Sequence, residues 1–199
     1  MKKKEITKIL IFRTDRIGDL INTSSVLKSL KKYYHNSEIS LVCSEYNSSI
    51  AFNYEFIDNV LIYNKNDSLL TKIKFFLRNI TINYDICVPL DGKKISKLIT
   101  LFSRAKQKYI ISFKKRKNFF GFKINIFRPS LFLCKFFFNT YIICDEDYSK
   151  RNVNSEFNNH YLSMYYYLFK KNNVILVPGK HIFELDKNSL DKFGNFFTN

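Results

Sequence analysis

"KILIFRTDRIGDLINTSSVLKSLKKYY", Lys8 to Tyr34, is the stretch whose reading decides the fold. Ile9–Phe12 is an unbroken apolar run, the pattern of a strand buried on both faces. Beyond Gly18, Leu20, Thr23, Val26, Leu27, Leu30 and Tyr33 recur at helical spacing, with Lys28, Lys31 and Lys32 turned outward. Between strand and helix the chain sets Arg13, Asp15, Arg16 and Asp19 around Gly18. A turn needs a glycine and one capping carboxylate. The remaining charges mark a site.

The pattern repeats downstream. "EISLVCS" (Glu38–Ser44), "NVLIY" (Asn59–Tyr63), "YDICVPL" (Tyr84–Leu90) and "KYIISF" (Lys108–Phe113) read as strands, and Ser68–Ile80 and Lys93–Phe102 as helices. Strands alternating with helices at this pace predict βαβ units and a doubly wound, Rossmann-like α/β domain with a parallel sheet. From Lys114 the alternation weakens into a basic and aromatic stretch, and Asn154–Lys171 reads as an amphipathic helix. We place the domain at 1–175 and a linker or tail at 176–199.

In such folds ligands bind beyond the carboxyl ends of the strands. Neither the dinucleotide pattern G-x-G-x-x-G nor the P-loop is present, and Gly18 is the first turn's sole glycine. Asp19 sits at the start of the helix, where the dipole favours a carboxylate. Read alone it is an N-cap. With Arg13, Thr14, Asp15 and Arg16 beside it, it becomes a candidate general base toward a hydroxyl, flanked by groups that bind an anion. Lys93 and Lys94 follow the fourth strand and should face the same cleft.

The chain has 199 residues, 46% of them hydrophobic, and a net charge of +16. From Gly92 through Cys144 it contains no Asp or Glu against 13 Lys and Arg. Three readings stay open for that segment: a solvated lysine-rich face, an anionic glycolipid acceptor together with an anionic membrane surface, or nucleic acid. Nucleic acid has the least support, since no RNP-like, KH or zinc pattern accompanies the charge. Cys43, Cys87, Cys134 and Cys144 are widely spaced, which predicts reduced thiols, and no metal site is expected from them and the three His. The N-terminal apolar stretch is too short for a signal peptide or membrane span, so a cytoplasmic protein is expected.

Several segments together resemble glycosyltransferase family 9, the lipopolysaccharide heptosyltransferases. They are the R-x-D-R-I-G-D turn, the helix after it, "EISLVCS", the "N-x-x-F-I-D-N-V" segment and "YDICVPLDGKKISKLITLFSRAKQKY" with its D-x-x-x-x-S pattern. "HYLSMYYYLF" is similar to the family's His-initiated helix. The family usually has Pro where this chain has Ser25. The resemblance implies the N-terminal half of a GT-B enzyme, in which this half holds the lipid-linked acceptor and a second domain, absent here, the nucleotide-sugar. It also implies inverting, metal-independent transfer with Asp19 as catalytic base. No cofactor is implied beyond the co-substrate, ADP-heptose or similar. The alternative is a non-catalytic acceptor-binding protein, or a basic protein of nucleic-acid or membrane surfaces.

Lys114, Lys115, Arg116 and Lys117 stand next to Phe119, Phe120 and Phe122. This pairing predicts peripheral contact with the inner membrane, the cations at headgroups and the rings at the acyl boundary. A core helix over Ser130–Phe138 competes with it.

Overall fold

Strand β1 (Lys8–Arg13) lies in the middle of the sheet, between β2 (Glu38–Cys43) and β4 (Ile86–Pro89), parallel to both. Five of its six residues are buried, and successive side chains alternate between two cores. Ile9 and Ile11 join the layer of α1 (Ile17–Tyr33), α2 (Glu45–Ala51) and α5 (Ser163–Lys170). Leu10 and Phe12 join that of α3 (Leu69–Thr81) and α4 (Lys94–Phe102). Two apolar faces on one strand require cover on both sides. Here both are covered.

The structure, a computed structural model, describes residues 7–114, 116–119, 122–125, 136–145 and 163–177, with side chains except at 112–119, 122–125, 143–145 and 163. With β3 (Asn59–Ile62), β5 (Gln107–Lys114) and β8 (Thr140–Asp145), the main sheet runs β3-β2-β1-β4-β5-β8, all parallel. This is the doubly wound, Rossmann-like order. The chain reverses direction across the sheet at β1 and β4, so the crevice opens beyond their carboxyl ends. β6 (Arg116–Phe119) and β7 (Phe122–Asn125) form a separate antiparallel pair.

Every strand expected up to Phe113 is present. Three elements escape the sequence reading: the short polar α2, the β6–β7 pair and the sixth sheet strand β8. Of the helix expected over Asn154–Lys171, Ser163–Lys170 is described. Small hydroxyl side chains let α5 approach α1. Thr23, Ser24 and Ser25 are all buried, and the Tyr166 hydroxyl donates to Ser25 Oγ at 3.2 Å. Ser25, standing where the resembled family has Pro, thus has its own partner.

Cys43 and Cys87 are buried free thiols, and burial pushes them up to about 12 and about 11. Cys134 lies outside the described residues, as does the side chain of Cys144. Lys115 and Phe120 lie outside them too. The side chains of Lys114, Arg116, Lys117, Phe119 and Phe122 share that status, so the membrane reading of this segment has no structural description. Phe138 packs on Ile110, while Phe136 and Phe137 are exposed.

Candidate functional site

Asp19 does not cap its helix. The N-cap of α1 is Arg16, in extended conformation and with no side-chain cap bond, so Asp19 falls in the first turn. Its carboxylate points instead to the guanidinium of Arg13, with Oδ1 at 3.6 Å from Nη2. Asp15 Oδ2 lies 3.3 Å from Arg13 Nη1. One cation at the end of β1 therefore serves both carboxylates.

Arg13 itself is fully buried beneath the cleft rather than within it. Its Nη1 donates to the Leu90 carbonyl at 2.6 Å and to the Tyr165 hydroxyl at 3.1 Å, and its Nε to the Asp19 carbonyl at 3.1 Å. The guanidinium also stands 5.7 Å from the Tyr165 ring centroid. Removing a charge from water is costly unless its donors are satisfied. Nε and Nη1 of Arg13 donate to two carbonyls and a phenol from three parts of the chain, and the carboxylates of Asp15 and Asp19 balance its charge.

The floor of the turn is equally built. Asn47 of α2 is buried and donates to the carbonyls of Arg13 at 3.2 Å and Asp15 at 3.1 Å. Asp91, after β4, is buried and accepts from Thr14 N at 3.0 Å, Thr14 Oγ1 at 2.5 Å and Ser96 Oγ at 3.0 Å. The D-x-x-x-x-S spacing of Asp91 and Ser96 thus has a mechanical meaning: it locks the start of α4 to the β1 turn.

These residues leave a cleft of about 800 Å³ at the carboxyl edge of the sheet. The β1–α1 turn contributes Thr14, Asp15, Arg16 and Asp19, and the β4–α4 connection contributes Lys93, Lys94 and Ile95. Six of the side chains picked from sequence therefore meet around one opening. Gly18, in the first turn of α1, lies beside it. A Cβ added there meets nothing within 4 Å, so no packing inside the chain requires the glycine. Its bare backbone leaves the helix start open.

A second wall escaped the sequence reading: Ser44, Glu45 and Tyr46 at the start of α2, with Tyr63, Asn64, Lys65 and Asn66 after β3. Asn64 donates to Glu45 at 2.7 Å and ties the two loops together. The signal available was position alone, since these residues follow the carboxyl ends of β2 and β3.

Burial pushes the Asp15 carboxyl up to about 6 from 3.8. Arg13 pulls it down, and the charges of Asp19 and Asp91 push it up. The cleft thus sets a carboxyl poised near neutrality beside Asp19, with Arg16, Lys65, Lys93 and Lys94 around them. Such a set can accept a proton from a hydroxyl and hold anionic groups nearby.

No family model matches the sequence, and no curated protein matches it. Solved structures match by fold. A family 9 glycosyl transferase from Veillonella parvula DSM 2008 superposes with a TM-score of 0.69 at 17% identity, over 96% of this chain and 49% of that one. The chain has the fold of a family 9 glycosyl transferase half. E. coli heptosyltransferase WaaC, solved with ADP-2-deoxy-2-fluoro heptose and with ADP, gives TM-scores of 0.59 and 0.58 at 13% and 16% identity. Those matches cover 88% and 87% of this chain against 51% and 50% of WaaC. The chain therefore spans about half the length of these solved structures.

Proposed function

We propose that this chain is the acceptor-binding half of a glycosyltransferase of the heptosyltransferase type and carries its catalytic base. The observation that supports it most is the cleft, which unites Asp19 with Arg16, Lys93 and Lys94 on a fold shared with family 9 enzymes. Asp19 takes the proton of an acceptor hydroxyl. The oxygen attacks the anomeric carbon of a nucleotide-sugar, and the bond to the nucleoside diphosphate breaks with inversion. Arg16, Lys93 and Lys94 hold phosphate or carboxylate groups of an anionic glycolipid. Thr14, Asp15 and the open backbone at Gly18 shape the hydroxyl's position, and Arg13 fixes both carboxylates from below. The donor, ADP-heptose or a similar nucleotide-sugar, is held by a second domain, and the reaction takes place in the cytoplasm at the inner-membrane surface.

A second reading of the base is Asp15, favoured by its carboxyl lying near 6. The experiment separates the two. This chain, joined to a donor-binding second domain, is assayed with an anionic glycolipid acceptor, and Asp19→Asn and Asp15→Asn are compared. Turnover should fall by orders of magnitude in Asp19→Asn with acceptor binding retained. Loss in Asp15→Asn alone moves the base to Asp15, and little change in either ends the catalytic reading. Charge reversal at Lys93 and Lys94 should weaken acceptor binding, most at low salt. Unchanged affinity returns them to ordinary surface lysines.

A further inference from the structure

The outer face of α3 and α4 is apolar where water would be expected to favour polar side chains. α3 packs Phe75, Phe76 and Ile80 toward the sheet. Yet Leu69 and Leu70 are 73% and 71% exposed, and Ile73 and Leu77, one and two turns beyond Leu69, are exposed as well. On α4, Ile99 is buried while Leu98 and Phe102 are exposed. The helices are neighbours, with the rings of Phe76 and Phe102 edge to face at 6.1 Å between centroids. Single exposed leucines are ordinary, but a group on adjacent helices marks an interaction surface.

The charges on these two helices have one sign. No Asp or Glu occurs from Ser68 through Tyr84, or from Gly92 through the end of α4. At 100° per residue, Lys74 and Arg78 fall on the flank of the Leu69–Ile73–Leu77 stripe, and Lys94 stands one turn before Leu98. The acids at the ends of the α3 segment are Asp67 and Asp85, and Asp85 is engaged by Lys106 at 2.7 Å and by the backbone of Lys8. A second copy of this face would bring like charges together. An anionic lipid surface meets both features at once: apolar side chains enter the acyl boundary while long cationic stems reach headgroups.

We propose that α3 and α4 dock this chain on an anionic bilayer, with Leu69, Leu70, Ile73, Leu77, Leu98 and Phe102 inserted and Lys74 and Arg78 at the headgroups. The placement deepens the lipid-linked acceptor reading and rests on it for its purpose. α3 begins just after Asn66 and α4 at Lys94, both cleft residues, so the docked edge adjoins the opening. It also puts the main contact on a different segment from Lys114–Lys117.

The test uses the full chain with phosphatidylcholine vesicles, alone or mixed with phosphatidylglycerol. Wild type should pellet with the mixed vesicles, more weakly with neutral ones, and release with salt. Leu70→Ser/Ile73→Ser/Leu77→Ser should lower partitioning by about tenfold or more, with circular dichroism unchanged. Lys74→Glu/Arg78→Glu should remove the preference for anionic lipid. The chain has no Trp, so single replacements serve as reporters. Leu70→Trp should shift to the blue and be quenched by brominated lipid, while Phe52→Trp, just after α2, stays in water.

Absence of pelleting with either vesicle overturns membrane contact as such. Pelleting that survives the α3 changes but is lost in Lys114→Glu/Lys117→Glu overturns this face and returns the contact to that segment. A concentration-dependent dimer abolished by the triple variant assigns the patch to a second copy and also overturns it. None of the α3 substitutions is at a residue lining the cleft, so failure here is distinguishable from failure of the Asp19 and Lys93 tests.

Discussion

The Tyr165 hydroxyl meets the buried guanidinium of Arg13 at 3.1 Å, across 152 residues of sequence. The same hydroxyl donates to the Leu90 carbonyl at 3.0 Å, which Arg13 also engages. A helix that enters the fold late thus holds the cation on which the two cleft carboxylates lean. The candidate base is aimed from behind the sheet edge, by groups that never face the cleft.

Tyr165→Phe keeps the ring and removes this hydroxyl. We expect a loss of about 1–2 kcal/mol in denaturant unfolding, the usual effect of deleting one partner of a buried hydrogen bond. The Asp15 carboxyl should titrate at a different pH in carbon-detected NMR, because Arg13 is freer to move. A wild-type titration curve would show that Tyr165 supports packing alone.

Arg13→Leu removes the cation shared by Asp15 and Asp19. Breaking a buried charge constellation costs about 3–5 kcal/mol, so the variant should lose a large part of the domain's stability at neutral pH. The loss should shrink on acidification, as the Asp15 carboxyl becomes neutral. Thermal melts at neutral and acidic pH check this directly.

Asp15 makes a pH prediction with a definite sign. Its folded value of about 6 lies above the ordinary 3.8, so the folded state binds the proton more tightly than the unfolded one. Its contribution to stability is complete below about 3.8 and is lost as the pH rises through about 6. Ionised, it costs the folded state up to about 3 kcal/mol. Asp15→Asn should therefore be more stable than wild type at pH 7.5 and equal to it near pH 3.5. A stability difference independent of pH would contradict the burial argument.

Asp91 accepts from Thr14 and Ser96 in a site with almost no solvent. Asp91→Ala leaves the Thr14 and Ser96 hydroxyls without that acceptor, and a destabilisation of about 2–4 kcal/mol is expected. Hydrogen exchange should speed up locally in the β1 turn and the first turn of α4. Fast exchange spread over the whole sheet would mean that Asp91 holds more than this junction.

Much of the architecture was legible because burial writes itself into side-chain type. A strand covered on both faces must be apolar throughout, and Ile9–Phe12 and Ile86–Val88 are. The elements that escaped are those with no such pattern. α2 is seven residues of mostly polar character, and its worth is Asn47, whose amide clamps two carbonyls of the β1 turn. β8 sits in a stretch so rich in aromatic and basic residues that no period stands out.

The site divides along the same line. That Asp15, Arg16, Asp19, Lys93 and Lys94 share an edge follows from sequence, since each comes after the carboxyl end of a strand in a doubly wound sheet. The sequence by itself also determined the excess of charge in the turn and the absence of a phosphate-binding glycine loop. It could not tell Arg13 from Arg16. Two arginines three residues apart look equivalent on the page, yet one is fully buried under the cleft and the other is exposed at its rim. Tertiary structure alone decided this, because the side chain at the end of β1 points into the layer where Leu90 and Tyr165 converge. Contacts across that many residues leave no local pattern. They exist only once the sheet and α5 are packed.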